Sequence, residues 1–298
     1  MASDDDLPAE SFEIDPMPIP EEAPVSHAGE VIGNYEVLEE IGRGGMGRIF
    51  MARHRTIDRR VAVKFLNTRL TADPLYADRF FREAEAASKL NHPGIVALHD
   101  AGCINNEVYY LIMEYVEGRD LHAYVNVQGL LEVPQAADFV SQAASALSYA
   151  HKAGFIHRDI KPENLLLASD GTVKICDLGL AKRIGEDGMI TQRGMIMGSP
   201  NYMAPERLRC ATDIDARVDI YSLGAALFFL LTGRIPYEGT PPVIMAKHLS
   251  APLPDPREVR PELPEDICVV IRKMMAKNPV ERYQTMDEVV EALAPFRQ

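Results

Sequence analysis

His157-Arg158-Asp159-Ile160-Lys161-Pro162-Glu163-Asn164 gathers a histidine, two carboxylates, two cations and an amide into one short run. A polar loop at the entry to a helix would account for such a run taken alone. What surrounds it points elsewhere. Asp177-Leu178-Gly179 follows 18 residues after Asp159, and Ala204-Pro205-Glu206 follows that.

Upstream of the run the chain reads as short strands, over 35–41, 48–54, 61–66, 96–102 and 108–115. One helix interrupts them at 77–90, with Phe80, Phe81, Ala84 and Ala87 on one side and Glu83 among them. Downstream of Gly118 the pattern turns helical, over 134–153, 215–232, 242–249, 265–275 and 286–294. A β-rich first part and an α-rich second part predict an α+β chain of two unlike lobes joined near 114–118. The cleft between such lobes is where a ligand would sit.

Two features of the β-rich part bear on that cleft. Gly42-Arg43-Gly44-Gly45-Met46-Gly47 is a G-x-G-x-x-G stretch, which on its own could be an ordinary hairpin turn. It lies between two strands, not between a strand and a helix as in dinucleotide-binding folds, and it lacks the Gly-Lys-Ser/Thr ending of a P-loop. It therefore reads as a flap whose backbone can approach phosphates closely. Val61-Ala62-Val63-Lys64 then sets a lysine in an apolar strand. Paired with Glu83, Lys64 could aim its ammonium at nucleotide phosphates.

Five motifs in this order resemble the eukaryotic-type (Hanks-type) serine/threonine protein kinases, and most of all their bacterial members, whose loops often read Gly-Gly-Met-Gly. The resemblance implies the two-lobed kinase fold over 35–297, with an N-lobe at 35–115, a hinge at 114–118 and a C-lobe at 119–297. It implies a serine/threonine protein kinase using ATP and Mg²⁺, with Mn²⁺ as a substitute. Asp159 would orient the acceptor hydroxyl and take its proton late. Lys161 would neutralise the transferring phosphoryl group, and its presence favours serine and threonine over tyrosine. Lys64 and Glu83 would form the ion pair that holds the phosphates. Asn164 and Asp177 would supply metal ligands. Leu178, where phenylalanine is more frequent, would still fill an apolar slot, and Cys176, just before Asp177, reads as a small buried hydrophobe.

By matching positions, Ile41, Ile49, Ala62, Met113 and Leu166 would enclose adenine, with backbone groups of Glu114 and Val116 at its edge. Asp120 would reach the ribose, and Gly42, Gly44, Gly45 and Gly47 would cover the phosphates. Residues 177–206 would form the activation segment. Arg158 implies control by phosphorylation there, because a phosphate would satisfy its charge, with Lys182 as a possible second partner. Thr191 is the candidate acceptor, with Arg193 where relatives often have a second threonine. Ser199 takes the place of the usual threonine facing Asp159 and Lys161. Glu206 would pair with Arg282, Asp219 would hold the catalytic-loop backbone, and His157 would pack instead of acting as a base. The expected partners are protein substrates, the chain itself through autophosphorylation, and a second copy in an N-lobe dimer. A pseudokinase scaffold and a small-molecule kinase of the same fold are the alternatives. Intact motifs argue against the first, and the peptide-holding stretch up to Glu206 argues against the second.

The net charge of −13 is unevenly spread, since residues 1–30 hold Asp4, Asp5, Asp6, Glu10, Glu13, Asp15, Glu21, Glu22 and Glu30 but no lysine or arginine. With five prolines, residues 1–32 read as a disordered acidic arm. The balance gives no sign of nucleic-acid binding. Cys103, Cys176, Cys210 and Cys268 have no metal-type spacing and read as reduced thiols. Without a signal-peptide pattern, a cytoplasmic kinase domain is expected, membrane-anchored only if the natural chain continues past Gln298. The apolar stretch 220–231 is too short to span a bilayer and reads as a buried helix.

Overall fold

A computed structural model describes residues 27–44, 47–66, 76–105, 107–177, 200–211 and 214–297. The β-rich lobe holds β1 (Val31–Ile32), β2 (Tyr35–Gly44), β3 (Gly47–His54), β4 (Arg60–Leu66), β5 (Leu98–Ile104) and β6 (Val108–Glu114). They form one antiparallel sheet in the order β1-β2-β3-β4-β6-β5.

Strand alternation sorts the side chains of β4. Val61, Val63 and Phe65 join Phe50 and Ile112 in one cluster, while Leu66 joins Phe80, Ala84, Tyr109 and Leu111 in a second. Lys64, in phase with Leu66, is thereby turned to the side of the sheet where α1 (Tyr76–Ser88) packs. On α1 the buried residues Phe80, Ala84 and Ala87 recur at helical spacing. Phe81, expected on that same side, is 43% exposed, because a neighbour in sequence lies about 100° around the helix.

Residues 27–32, expected to belong to a disordered arm, pack on the β-rich lobe instead. Residues 27–32 are ordered: Ile32 is buried, β1 pairs with β2, and the His27 ring stacks on Phe65 with centroids 3.9 Å apart. Residues 1–26 lie outside the described residues.

At the tip of the β2–β3 hairpin, Gly47 has φ 150° and lies opposite Leu66. A Cβ there would run into the Phe65 carbonyl. Gly47→Ala is therefore expected to cost about 1–3 kcal/mol, seen as a lower midpoint in thermal denaturation. An unchanged midpoint would mean that the tip relaxes freely.

The helical lobe begins with β7 (Gly118–Asp120), α2 (Leu121–Gln128) and α3 (Val133–Lys152). β8 (Leu165–Ala168) and β9 (Val173–Ile175) follow, and β7-β8-β9 form a small antiparallel sheet. Then come α4 (Pro205–Leu208), α5 (Arg217–Thr232), α6 (Pro241–Ser250), α7 (Glu265–Met274) and α8 (Met286–Leu293). Every residue of α5 from Val218 to Thr232 is buried, so its near-continuous apolar sequence is that of a central helix packed on all sides. Gly224 allows the close approach of α7, since a Cβ would sit 2.7 Å from that of Met274. Among the described residues no helix is long and apolar enough to cross a membrane. All four cysteines are free thiols.

Candidate active site

Strand register brings the expected nucleotide-facing residues of the β-rich lobe together. Ile49 lies opposite both Gly42 and Lys64, and Ala62 lies opposite both Met51 and Met113. From the other lobe, Asp120 and Leu166 are directly paired across β7 and β8. Ala62 is buried, Met113, Val116 and Leu166 are half-buried, and Ile41 is exposed at the rim. Gly44 pairs with Gly47 across the hairpin, whereas Gly45 lies outside the described residues.

Two of these residues have structural tasks that sequence reading did not foresee. The Asp120 carboxylate caps α2, accepting from the Ala123 N–H at 2.7 Å. Glu114 directs its carboxylate to Lys174 at 2.9 Å, and its backbone N–H donates to the Ala97 carbonyl at 2.8 Å.

The catalytic-loop run is fixed from beneath by Asp219, which is fully buried on α5. Its carboxylate accepts from the His157 N–H at 2.8 Å, the Arg158 N–H at 2.7 Å and His151 Nε2 at 2.8 Å. Arg158 has φ 64°, a left-handed conformation that costs energy in a non-glycine residue. The two N–H bonds to Asp219 compensate that strain, and the Arg207 guanidinium donates to the Arg158 carbonyl from the other side. Burial alone would raise the Asp219 carboxyl. The His151 bond and charge, together with His157, outweigh it and hold the group below the usual carboxylate range.

His157 is 1% exposed, and its ring joins two parts of the site. Nε2 donates to the Cys176 carbonyl at 2.9 Å, and Nδ1 accepts from the Asp159 N–H at 3.2 Å. Both ring nitrogens are thus committed to backbone, which is a structural use of the histidine. The Cys176 N–H donates back to the Asn164 carbonyl at 3.0 Å. Burial, then the Asp177 carboxylate, pushes the Cys176 thiol up, so it behaves as a small hydrophobe.

Asn164 is nearly buried, and its amide nitrogen donates to the Asp159 carbonyl at 2.8 Å. That bond assigns the amide orientation and leaves Oδ1 as the atom suited to a cation. Lys161 Nζ stands 4.0 Å from Asp159 Oδ2. Asp159, Lys161 and Asn164 therefore occupy one loop, hydrogen-bonded to Cys176 next to Asp177.

Across the cleft, Lys64 Nζ donates to Asp177 Oδ1 at 2.6 Å, and the lysine is only 5% exposed. Burial would raise the Asp177 carboxyl, but the Lys64 charge and hydrogen bond outweigh it and hold it low. The expected Lys64–Glu83 pair is not formed. Among the described residues Lys64 pairs with Asp177, whose carboxylate takes the ammonium in a short charge-assisted bond. Glu83 stays half-buried on α1. Leu178, Gly179, Lys182, Thr191, Arg193 and Ser199 lie outside the described residues.

Beyond the loop, Glu206 and Arg282 form the expected pair, with fork contacts of 2.6 and 2.7 Å. Tyr202 and Met203 line the same small cavity as Arg158, Asp159 and Lys161, which places the stretch before Ala204 beside the catalytic loop.

The protein kinase domain model matches residues 35–293 of this chain. Serine/threonine-protein kinase PrkC of Bacillus subtilis (strain 168) is 39% identical over 260 residues, covering 87% of this chain and 40% of PrkC. Serine/threonine-protein kinase PknB of Mycobacterium tuberculosis (strain ATCC 25618 / H37Rv) is 40% identical over 260 residues, covering 86% of this chain and 41% of PknB. The chain thus spans about two-fifths of the length of these relatives. Among solved structures, the Mycobacterium tuberculosis PknI kinase domain matches with a TM-score of 0.72 and 28% identity, covering 90% of this chain and 98% of that one.

Proposed function

The chain belongs to the protein kinase family, and we propose that it transfers the γ-phosphoryl group of Mg-ATP to serine and threonine hydroxyls of proteins. One observation carries the reading: Lys64 of the β-rich lobe meets Asp177 at 2.6 Å, on a segment hydrogen-bonded to the loop that holds Asp159 and Asn164. The pair sets an ammonium beside a carboxylate of the type that holds a divalent ion, a combination suited to nucleotide phosphates carrying such an ion.

The donor set fits a divalent ion that prefers oxygen. Asn164 and Asp177 offer an amide oxygen and a carboxylate, and Mg²⁺ is commonly bound by few protein ligands together with water and phosphate. Among the described residues no group of three His, Cys, Asp or Glu forms a ready-made cage. Such an ion would supply neutralisation of charge on the phosphates, with Mn²⁺ able to substitute.

The chain's own residues do the rest. Asp159, oriented through Asn164 and His157, accepts a hydrogen bond from the acceptor hydroxyl and receives its proton. Lys161 faces the developing negative charge. Glycines of the flap bring backbone N–H groups close to phosphate and exclude water. Kinases are competent when the β4 lysine pairs with the helix glutamate, so activation here moves Lys64 from Asp177 to Glu83. Phosphorylation of Thr191, with Arg158 as a partner for the phosphate, is the proposed trigger, and a second copy of the chain is its natural acceptor. In a bacterial cell this domain works on the cytoplasmic side, where ATP is supplied.

Mass spectrometry after incubation with Mg-ATP tests the reading. The expected outcome is phosphate on Thr191 and on a threonine peptide, abolished by EDTA and restored by Mn²⁺. A chain that labels neither itself nor the peptide is not a protein kinase.

A further inference from the structure

Behind the stretch that leads to Ala204 lies a buried polar chain with no part in the chemistry above. Lys277 Nζ, at the C-terminal end of α6, donates to the carbonyls of Lys247 at 3.3 Å and His248 at 2.8 Å. A cation is favoured there, where the last carbonyls of a helix point outward. The same ammonium reaches the hydroxyls of Tyr237 at 2.9 Å and Tyr221 at 3.3 Å. Tyr221 OH lies 2.8 Å from His248 Nδ1, and His248 Nε2 lies 3.0 Å from the Asn201 carbonyl. Tyr221 and His248 are both fully buried.

The direction of the bonds at His248 follows from the Asn201 carbonyl and from the burial of the ring. With the ring neutral, Nδ1 accepts from the Tyr221 hydroxyl, whose oxygen faces the Lys277 ammonium. A carbonyl only accepts, so His248 Nε2 carries the ring hydrogen and gives it to Asn201. The neutral tautomer with its hydrogen on Nε2 satisfies Asn201 and Tyr221 together. Burial, and then repulsion from Lys277, agree with this by pushing the His248 imidazolium down to about 4.

Asn201 is the middle residue of the short turn Pro200–Tyr202, against which α6 packs. The next two residues, Tyr202 and Met203, line the cavity shared with Asp159 and Lys161. A displacement of the Asn201 carbonyl is therefore passed directly to the wall beside the catalytic aspartate. The far end of this stretch is held separately by the Glu206–Arg282 pair.

We propose that His248 is a positioning residue for the acceptor peptide: through the ordered chain Lys277–Tyr221–His248 it fixes the Pro200–Tyr202 turn against which the peptide lies. The inference rests on the kinase reading and names the device that shapes its acceptor side. His248 touches neither nucleotide nor hydroxyl, so its loss should weaken peptide binding and spare the nucleotide.

The test uses steady-state transfer to a threonine peptide by the whole chain. His248→Leu leaves the Asn201 carbonyl without its buried donor. The expected result is a KM for peptide raised about tenfold, with KM for ATP and kcat at saturating peptide little changed. His248→Gln restores an N–H donor and should recover part of the loss. Tyr221→Phe keeps the ring packing but frees the histidine to turn, so it should give a smaller rise in peptide KM. It also decides the matter if His248→Leu fails to fold. An unchanged peptide KM in a folded variant, or an equal rise in both KM values, overturns the inference. No transfer by the unsubstituted chain would instead overturn the kinase reading and remove its basis.

Discussion

Asp159→Asn is expected to lower kcat by about 10²–10⁴-fold, the range that a positioned general base supplies. Asparagine keeps the shape of the side chain and the backbone bonds that fix it, from Asp159 N–H to His157 Nδ1 and from Asn164 Nδ2 to the Asp159 carbonyl. The fold and the KM for ATP should therefore stay close to those of the unsubstituted chain. What disappears is the anionic oxygen that orients the hydroxyl and accepts its proton. The neighbouring Lys161, 4.0 Å from Asp159, would remain and keep its attraction for phosphate. Single-turnover transfer to a peptide, with a thermal midpoint measured alongside, separates lost chemistry from lost structure. Full activity in a folded variant would remove Asp159 from the reaction.

The second large effect falls on stability. Arg282→Leu is expected to cost about 3–5 kcal/mol, because it leaves the Glu206 carboxylate in a nearly dry site without its counter-charge. Arg282 has no exposed side chain and also donates to the carbonyls of Ala276 at 2.8 Å and Arg217 at 2.8 Å. Its guanidinium lies over the Tyr221 ring at 4.9 Å. Removing it thus leaves one carboxylate without its counter-charge and takes a donor from three backbone carbonyls, those of Ala276, Arg217 and Lys277. Urea denaturation reads the loss, and Glu206→Leu added to Arg282→Leu should recover part of it, since no buried charge then remains. A loss below about 1 kcal/mol would class the pair with exposed ion pairs, which contribute little.

Much of this architecture could be read from the chain because its signals are local. The apolar run over 220–231 reads as a buried helix and Val61-Ala62-Val63-Lys64 as an apolar strand carrying one lysine, and the structure has both. What escaped reading was either short or long-range. β1 has two residues and β7 has three, too few to show a period. Asp120, the residue expected at the ribose, also caps α2 through the Ala123 N–H, and its three-residue spacing to Ala123 is the sequence signal of that cap. The choice of Asp177 over Glu83 as partner for Lys64 depends on how two lobes approach, which no stretch of sequence encodes. The His248 chain joins residues from α5, α6 and the Pro200–Tyr202 turn, and it has no spacing to betray it.

Asp219 gives the catalytic loop an unusual dependence. Its carboxylate is the lower support of the strained Arg158 peptide, and it grows from the most deeply buried helix of the larger lobe. The loop therefore cannot loosen on its own without stripping a buried carboxylate of two of its three donors. It belongs to the same cooperative unit as that core, whereas the glycine flap is joined to the molecule through strand pairing at the surface. In the catalytic loop, function and fold are lost together.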